Sequence, residues 1–171
     1  MSIQPTMEQI RECGRFSERP VTAEQILALL EDAIWAPNHH LREPWRFIWV
    51  ASDSRGKLEE ALDSPTQNQL RTLIREAPAC LIVAAPVPQD AREAKDDFAA
   101  ACCLIQNLQI LASAAEIGMS WHLPLGQEDK AFGFAAELRL DERVVGVLGF
   151  GYWENMPSKA PEKPPIKIEV W

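Results

Sequence analysis

One long apolar segment, residues 91–117, constrains the fold of this chain more than any other part of its sequence. Its apolar side chains recur three and four positions apart, the spacing of one helix face, at Phe98, Ala101, Ile105, Leu108, Ala112 and Ala115. Further apolar residues widen this face until a narrow polar stripe remains, with Gln106, Asn107 and Gln109. The pattern predicts a long helix, ended by Gly118, that is buried on most of its sides.

The segments on either side of this helix alternate between helical and strand patterns without a regular rhythm. Helices are predicted over residues 22–36, from about Asp53, over 66–75 and over 127–138. Strands are predicted for RFIWVA after Trp45, for CLIVAA after Ala79, in the extended segment GMSWHLPLG and for VVGVLGFGYW. The run CLIVAA is apolar throughout, which is typical of a strand buried on both faces. This arrangement predicts an α+β fold.

Length and charge limit the class of partner. A chain of 171 residues with 47% hydrophobic residues is typical of one domain, so we expect a single domain over residues 1–171. Its 17 basic and 25 acidic residues give a net charge of -8, which repels nucleic-acid phosphates and anionic lipid headgroups. The apolar runs are too short to span a bilayer. We therefore expect a small-molecule partner, and neither nucleic acid nor a membrane.

The cysteines indicate a reducing compartment. Cys13, Cys80, Cys102 and Cys103 form no CxxC pair and no metal-ligand spacing with histidine, so we expect no metal site. The simplest interpretation is that they are buried free thiols. The N-terminus also lacks the basic and apolar pattern of a signal peptide. Together these features favour the cytoplasm.

Several common catalytic motifs are missing from the sequence. It contains no GxSxG elbow and no P-loop. Gly149 and Gly151 lie at the end of a predicted strand, but they run into Tyr152 and Trp153 rather than into a helix. A Rossmann dinucleotide site is therefore not predicted, and no catalytic side chain can be named.

The most informative polar segment is WAPNHHLREPWRF, residues 35–47. Pro37 ends the preceding helix, and Asn38, His39 and His40 place three polar side chains on the loop that follows. Ligand contacts concentrate on loops held between rigid elements. A histidine on such a loop is also a common surface residue, so this segment alone does not decide the function.

The C-terminal segment, residues 155–171, combines four prolines with an apolar end. Proline-rich chain builds no core of its own, yet Ile166, Ile168 and Val170 alternate with charged residues before Trp171. Two interpretations stay open. The segment is either an arm that packs on a second subunit or a disordered tail.

APNHHLREPWRF resembles the motif of the nitroreductase family, in which a helix ends at Ala-Pro and a polar loop leads into Gln-Pro-Trp and a strand. Three further segments resemble the same family in the same order, namely IRECGRFSERPVTAEQ, IQNLQILASAAEIGMSWH and VVGVLGFGYW. Together the four segments cover nearly the whole chain. The resemblance is strongest to the small bacterial members, which carry a histidine at the position of His39.

This resemblance implies a fold and an activity. The implied fold is nitroreductase-like, with a central, mainly antiparallel sheet flanked by helices and a long buried central helix. It also implies a homodimer that binds FMN at the subunit interface, with the C-terminal arm on the partner. The implied enzyme oxidises NAD(P)H and reduces nitro compounds, quinones or similar acceptors by a ping-pong mechanism, with the flavin supplying the chemistry.

The resemblance also places the cofactor. The FMN-binding positions that it implies are Arg11, Glu12, Cys13, Trp35, His39, Trp121, His122 and Leu123. Arg11 is expected to bind the phosphate, and Arg15 is a second candidate. For the side chain of Trp121, a place in the core is the competing interpretation.

The sequence departs from the family pattern mainly by losing positive charge. Glu12 lies near the expected phosphate, Glu43 replaces a usual glutamine, and Trp35 and His122 stand where relatives can carry arginine. Tail lysines such as Lys159 or Lys163 are possible substitutes. This depletion motivates two alternatives, a flavin-binding or flavin-storing protein with little turnover and a partner protein that binds no flavin.

Overall fold

The computed structural model describes residues 7, 10, 15–62, 64–123, 130–154 and 165–171. Within these residues the strands form one four-stranded antiparallel sheet in the order β1-β2-β4-β3. The strands are β1 (Arg46–Trp49), β2 (Ala79–Pro86), β3 (Gly118–His122) and β4 (Glu142–Gly151). All four overlap the segments for which strands or extended chain were predicted, and β4 begins and ends two residues earlier than VVGVLGFGYW. The predicted α+β fold with a central antiparallel sheet is confirmed.

The centre of the sheet is the pair β2 and β4. Leu81 lies opposite Leu148, and the register shifts between Val83 and Ala84. All residues of β2 except Pro86 are buried, as predicted for a strand covered on both faces. Burial also raises the pKa of the Cys80 thiol in β2 to about 12, so this cysteine stays protonated and unreactive.

One face of the sheet is covered by α1 (Ala23–Ala33) and α4 (Ala91–Ala114). Thr22 and Gln25 begin α1 with a capping box, in which each side chain accepts a hydrogen bond from the other residue's backbone N–H. The helix ends earlier than the predicted residue 36, because Ile34 and the following residues turn towards Pro37.

The predicted long helix corresponds to α4, which is shorter than expected at its C-terminal end. Glu116 has a φ of 61°, and the Ile117 N–H donates to the Ala112 carbonyl at 2.8 Å. This turn reverses the chain so that β3 begins at Gly118. By length and composition α4 could cross a membrane, but seven of its residues are buried in this structure, which is the pattern of a core helix.

Burial of α4 is confined to one side of the helix. Leu104, Ile105 and Leu108 are 0% exposed and pack on the sheet. Ala99, Cys103 and Gln106 lie on an exposed strip of the same helix. The prediction that the helix is buried on most of its sides is therefore wrong for the chain that the structure describes. The same geometry explains why Cys103, predicted to be buried, is exposed.

The other face of the sheet is covered by three shorter helices, α2 (Arg55–Glu60), α3 (Asn68–Glu76) and α5 (Lys130–Ala135). A 3-10 turn at Pro65–Gln67 precedes α3, since Pro65 begins the turn and Ser64 caps it. Arg55 donates to the Ala77 carbonyl at 2.6 Å and to the Pro78 carbonyl at 3.2 Å, and so links α2 to the end of α3. Of the helix predicted over 127–138, the part before residue 130 lies outside the described residues.

The segment before α1 and the segment after β4 meet near the end of β4. Phe16 forms a β-bridge with Trp153, and the Ser17 N–H donates to the Tyr152 carbonyl at 2.7 Å. Residues 165–171 are described and exposed throughout, whereas residues 155–164 of the predicted arm lie outside the described part.

Candidate functional site

A cavity of about 630 Å³ lies between α3, the end of β3 and the chain around Arg15. A volume of this size is typical of cofactor and small-molecule sites. Ten described residues from four segments line it: Arg15, Phe16, Asn68, Gln69, Thr72, Leu73, Glu76, Ser120, His122 and Glu154.

Two glycines of β4 allow the cavity walls to approach the sheet. A Cβ atom added at Gly149 would lie 2.4 Å from Leu73 Cδ1, and one added at Gly151 would lie 2.5 Å from Phe16 Cδ1. Side chains at these positions would displace α3 and the chain near Phe16. The glycine pair of the sequence therefore has a packing role beside the cavity instead of a role in a dinucleotide loop.

The floor of the cavity comes from one side of β3. Ser120 pairs with Gly149 and His122 with Val147, so both side chains lie on the face covered by α3. Trp121, between them, lies on the opposite face, because side chains alternate along a strand. Its Nε1 donates to the Val145 carbonyl at 3.2 Å, and its ring packs on the core beside α4.

Charges of both signs line the cavity. Arg15 and His122 face it together with Glu76 and Glu154. The main chain fixes Arg15, since its carbonyl accepts from the Glu154 N–H at 3.3 Å. Among the lining residues that the structure describes, Arg15 is the one arginine. The cavity therefore offers a single guanidinium to an anionic ligand and opposes it with two carboxylates.

Only some of the predicted cofactor-binding residues that the structure describes lie at this cavity. His122 lines the cavity, and the exposed Leu123 follows it directly. Trp121 contributes its backbone to the strand beside the cavity, while its side chain belongs to the core, which was the competing interpretation. Arg11, Glu12 and Cys13 lie outside the described residues, as do Lys159 and Lys163.

Trp35 and His39 belong to a second region, the loop that follows α1, and neither is among the described residues that line the cavity. The Trp35 side chain is 85% exposed. The rings of His39 and His40 are in contact, with centroids 4.0 Å apart. The structure of this chain therefore does not bring the two groups of predicted residues together.

This loop has a defined internal structure. Asn38 Nδ2 donates to the Ala36 carbonyl at 3.2 Å, and Asn38 Oδ1 accepts from the Glu43 N–H at 3.0 Å. Arg42 extends from the loop to acidic residues of α4. Asn38 therefore bridges the two ends of the loop, and its exposed histidines stand on an ordered support.

Sequence reasoning missed the contribution of α3. Asn68, Gln69 and Thr72 place polar side chains along the cavity wall. In the sequence these residues form a polar side of the helix, opposite the buried Ile74. A polar helix side usually faces solvent, so the sequence alone does not show that this one faces β3. Among the described residues, no group of three or more metal-ligating side chains is arranged around a common point.

A family model and a similar protein relate this chain to the same family. Residues 10–152 match the family model described as the nitroreductase family. The chain is 36% identical over 165 residues to the "Putative NAD(P)H nitroreductase YfhC" of Bacillus subtilis (strain 168), covering 89% of this chain and 82% of that protein.

Solved structures of similar proteins share the fold. A nitroreductase-like family protein from Bacillus cereus superposes with a TM-score of 0.84 at 26% identity, covering 99% of this chain and 97% of that one. A structure from Desulfovibrio desulfuricans, described as a "putative nitroreductase in complex with FMN", superposes with a TM-score of 0.80 at 20% identity and covers 100% and 98% of the two chains. In both superpositions the similarity covers at least 97% of each chain.

Proposed function

The chain belongs to the nitroreductase family, and from this premise we propose that it is an FMN-dependent oxidoreductase. It would use NAD(P)H to reduce nitro compounds, quinones or similar small-molecule acceptors by a ping-pong mechanism. The observation that carries the proposal is the cavity of about 630 Å³ beside β3, lined by polar side chains of α3 and by Arg15. The description of the Desulfovibrio desulfuricans structure as an FMN complex supports the choice of cofactor.

The donor set of the cavity fits FMN. A flavin ring needs an apolar wall with hydrogen-bonding groups at its edge, and its phosphate needs a cation. Leu73 and Phe16 offer apolar surface, Asn68 and Thr72 offer polar atoms, and Arg15 offers a guanidinium. The cavity volume of about 630 Å³ also lies in the range of sites that bind small molecules and cofactors.

The protein's own residues would bind and orient the cofactor. FMN, when bound, supplies the electron-transfer chemistry, so that no acid or base of the protein is required. Arg15, with Arg11 of the preceding segment, would hold the phosphate. The backbone of β3 from Trp121 to Leu123 and the side chain of His122 would face the ring.

A homodimer is part of the proposal, because one protomer leaves several apolar surfaces uncovered. In residues 165–171, Ile166, Ile168, Val170 and Trp171 are all more than 80% exposed. The exposed strip of α4 and the exposed Trp35 lie outside the apolar cores of the protomer. Burial of these surfaces against a second copy would stabilise both chains. We propose that the C-terminal segment packs on the partner and that Trp35 and His39 reach the partner's flavin.

A second candidate function is flavin binding or storage with little turnover. It is favoured by the carboxylates of Glu76 and Glu154 at the cavity, which oppose the single described arginine there. Such a charge balance weakens the attraction for a phosphate dianion and for a nicotinamide dinucleotide. The same cavity would then hold flavin without efficient access for the reductant.

An absorbance spectrum of the purified protein separates these functions. The enzyme should carry flavin bands, lose them when NADPH or NADH is added without oxygen, and recover them when a nitro compound or quinone follows. Flavin bands that neither nucleotide bleaches would favour the storage function. Colourless protein that fails to bind added FMN at micromolar concentration would overturn both.

A further inference from the structure

The loop after α1 has an uncommon backbone conformation. His40, Leu41 and Glu43 have φ angles of 55°, 54° and 47°. Left-handed conformations are uncommon for residues other than glycine, and each costs conformational free energy. Such backbone persists only where surrounding contacts fix it. The contacts that fix this loop therefore identify what its conformation depends on.

Arg42, which lies between the left-handed residues Leu41 and Glu43, joins this loop to α4. Its Nη2 donates to Asp97 Oδ2 at 3.0 Å, and its Nη1 forms an ion pair with Glu93. Asp97 and Glu93 are four residues apart on α4, so both carboxylates lie on the helix side that faces the loop. Arg42 thereby connects the loop to α4, whose inner side packs on the sheet.

Asp97 is notable because its side chain is only 2% exposed. A second guanidinium, from Arg143 of β4, donates to the Ala94 carbonyl at 2.8 Å and lies over the Phe98 ring. Burial lowers the pKa of Arg143, and the nearby Cys102 and Asp97 oppose that decrease. A buried carboxylate destabilises a fold unless it is paired, so Asp97 constrains the position of Arg42.

We propose that the Arg42–Asp97 ion pair positions the loop of residues 38–43 so that His39 and His40 face the flavin. Neither partner of the pair is placed against the cofactor, so both are positioning residues. The inference rests on the proposed function, in which this loop contacts FMN. It adds a specific dependence of FMN binding on a buried carboxylate outside the cavity.

The chain offers a matched control. Arg46 and Glu142 form a second ion pair, with side chains 29% and 6% exposed, against 31% and 2% for Arg42 and Asp97. The control pair joins β1 to β4, and Arg46 also donates to the Glu137 carbonyl at 3.0 Å, so these hydrogen bonds lie outside the loop of residues 38–43. Glu142→Gln thus removes a comparable charge without releasing the loop.

The first measurement is hydrogen exchange of the flavin-free protein over residues 38–45. The amides of Arg42, Glu43 and Trp45 are hydrogen-bonded within this stretch. Asp97→Asn should accelerate their exchange about tenfold or more, whereas Glu142→Gln should leave it unchanged. Unchanged exchange in Asp97→Asn would overturn the inference, whatever the flavin result.

The second measurement is the FMN dissociation constant. If the competent loop conformation falls to about a tenth of the population, the apparent dissociation constant rises about tenfold. Asp97→Asn should show this increase, and Glu142→Gln should stay within about twofold of the wild type. Faster loop exchange with an unchanged dissociation constant would also overturn the inference.

A double variant separates positioning from stability. In Arg42→Met/Asp97→Leu the buried charges are replaced by apolar side chains, a change that is often neutral for stability. The expected result is a thermal midpoint near that of the wild type together with a raised dissociation constant. A wild type that takes up no FMN would overturn the proposed function instead, and the exchange data would then decide alone whether the pair holds the loop.

Discussion

The two faces of the sheet differ in how completely helices cover them. On the face covered by α1 and α4 the core is continuous, and Leu104, Leu148 and Phe150 are each 0% exposed. On the opposite face α2, α3 and α5 cover Ile82 and Val147, but the end of β3 stays open to the cavity. The face beside α4 thus carries the larger core, and the opposite face combines a smaller core with the candidate functional site.

A single strand shows how the division arises. Along β3, Met119 and Trp121 belong to the core beside α4, while Ser120 and His122 line the cavity. Alternation of side chains makes the same five residues serve both faces. Substitutions on the closed face should therefore change stability, and those on the open face should change ligand binding more than stability.

The largest difference is expected between two leucine truncations. Leu148→Ala on the closed face should lower the free energy of unfolding by about 3 to 5 kcal/mol, because it leaves a cavity in a dense core. Leu73→Ala on the open face should cost about 2 kcal/mol, since that side chain already borders the cavity. Urea denaturation of both variants measures this contrast. Equal losses would show that the open face is as tightly packed as the closed one.

The arginine that lines the cavity should contribute directly to FMN binding. Arg15→Ala should weaken FMN binding by about 1.5 to 3 kcal/mol, the contribution of a charged hydrogen bond. Arg11→Ala is predicted to act similarly. Arg19→Ala is the control, because Arg19 lies in the same segment but stacks over Tyr152, with its Cζ 3.6 Å from the ring centre. FMN titration followed by fluorescence measures the affinity of each variant. Equal affinities for Arg15→Ala and Arg19→Ala would contradict the assignment of Arg15 to the phosphate.

Two glycines of β4 allow the same substitution on both faces. A Cβ at Gly146 would lie 2.4 Å from Trp121 Nε1 on the closed face, and one at Gly149 equally close to Leu73 Cδ1 on the open face. Each change to alanine should cost about 1 to 3 kcal/mol of stability through overpacking. Only Gly149→Ala should also weaken FMN binding, because it pushes Leu73 into the cavity. Thermal midpoints and FMN titration test this, and equal binding by both variants would contradict it.

The sequence predicted the closed face better than the open one, for a physical reason. The apolar periodicity of α4 and the run CLIVAA of β2 depend on burial, which local pattern records directly. The site depends on residues distant in sequence, such as Thr72 and Ser120, that only the tertiary fold brings together. The side of the sheet that Trp121 occupies is likewise fixed by strand register.

The loop after α1 was identified from its polar residues, but its conformation was not. Nothing in the local pattern indicated left-handed backbone at His40, Leu41 and Glu43. That conformation depends on a contact 55 residues away in sequence, between Arg42 and Asp97. Long-range ion pairs leave no periodic signal in a sequence, so this part of the site required the structure.

The smallest expected effect concerns pH and lies away from the cavity. The hydrogen bonds from Arg46 hold the pKa of Glu142 below its ordinary value of 4.5, against the opposing effect of burial. A lowered pKa in the folded state means that the carboxylate stabilises the fold above the ordinary value and loses that contribution as the pH falls through the lowered one. Glu142→Gln should therefore lower the free energy of unfolding by about 1 kcal/mol at neutral pH and make its dependence on pH weaker on the acid side.

Because Glu142 begins β4 and the cavity lies near the other end of that strand, FMN affinity at neutral pH should not change in Glu142→Gln. Urea denaturation at several pH values, with FMN titration at neutral pH, tests both statements. An acid limb as steep as that of the wild type would assign acid sensitivity to other carboxylates, and a weakened affinity would show that the two ends of β4 are coupled.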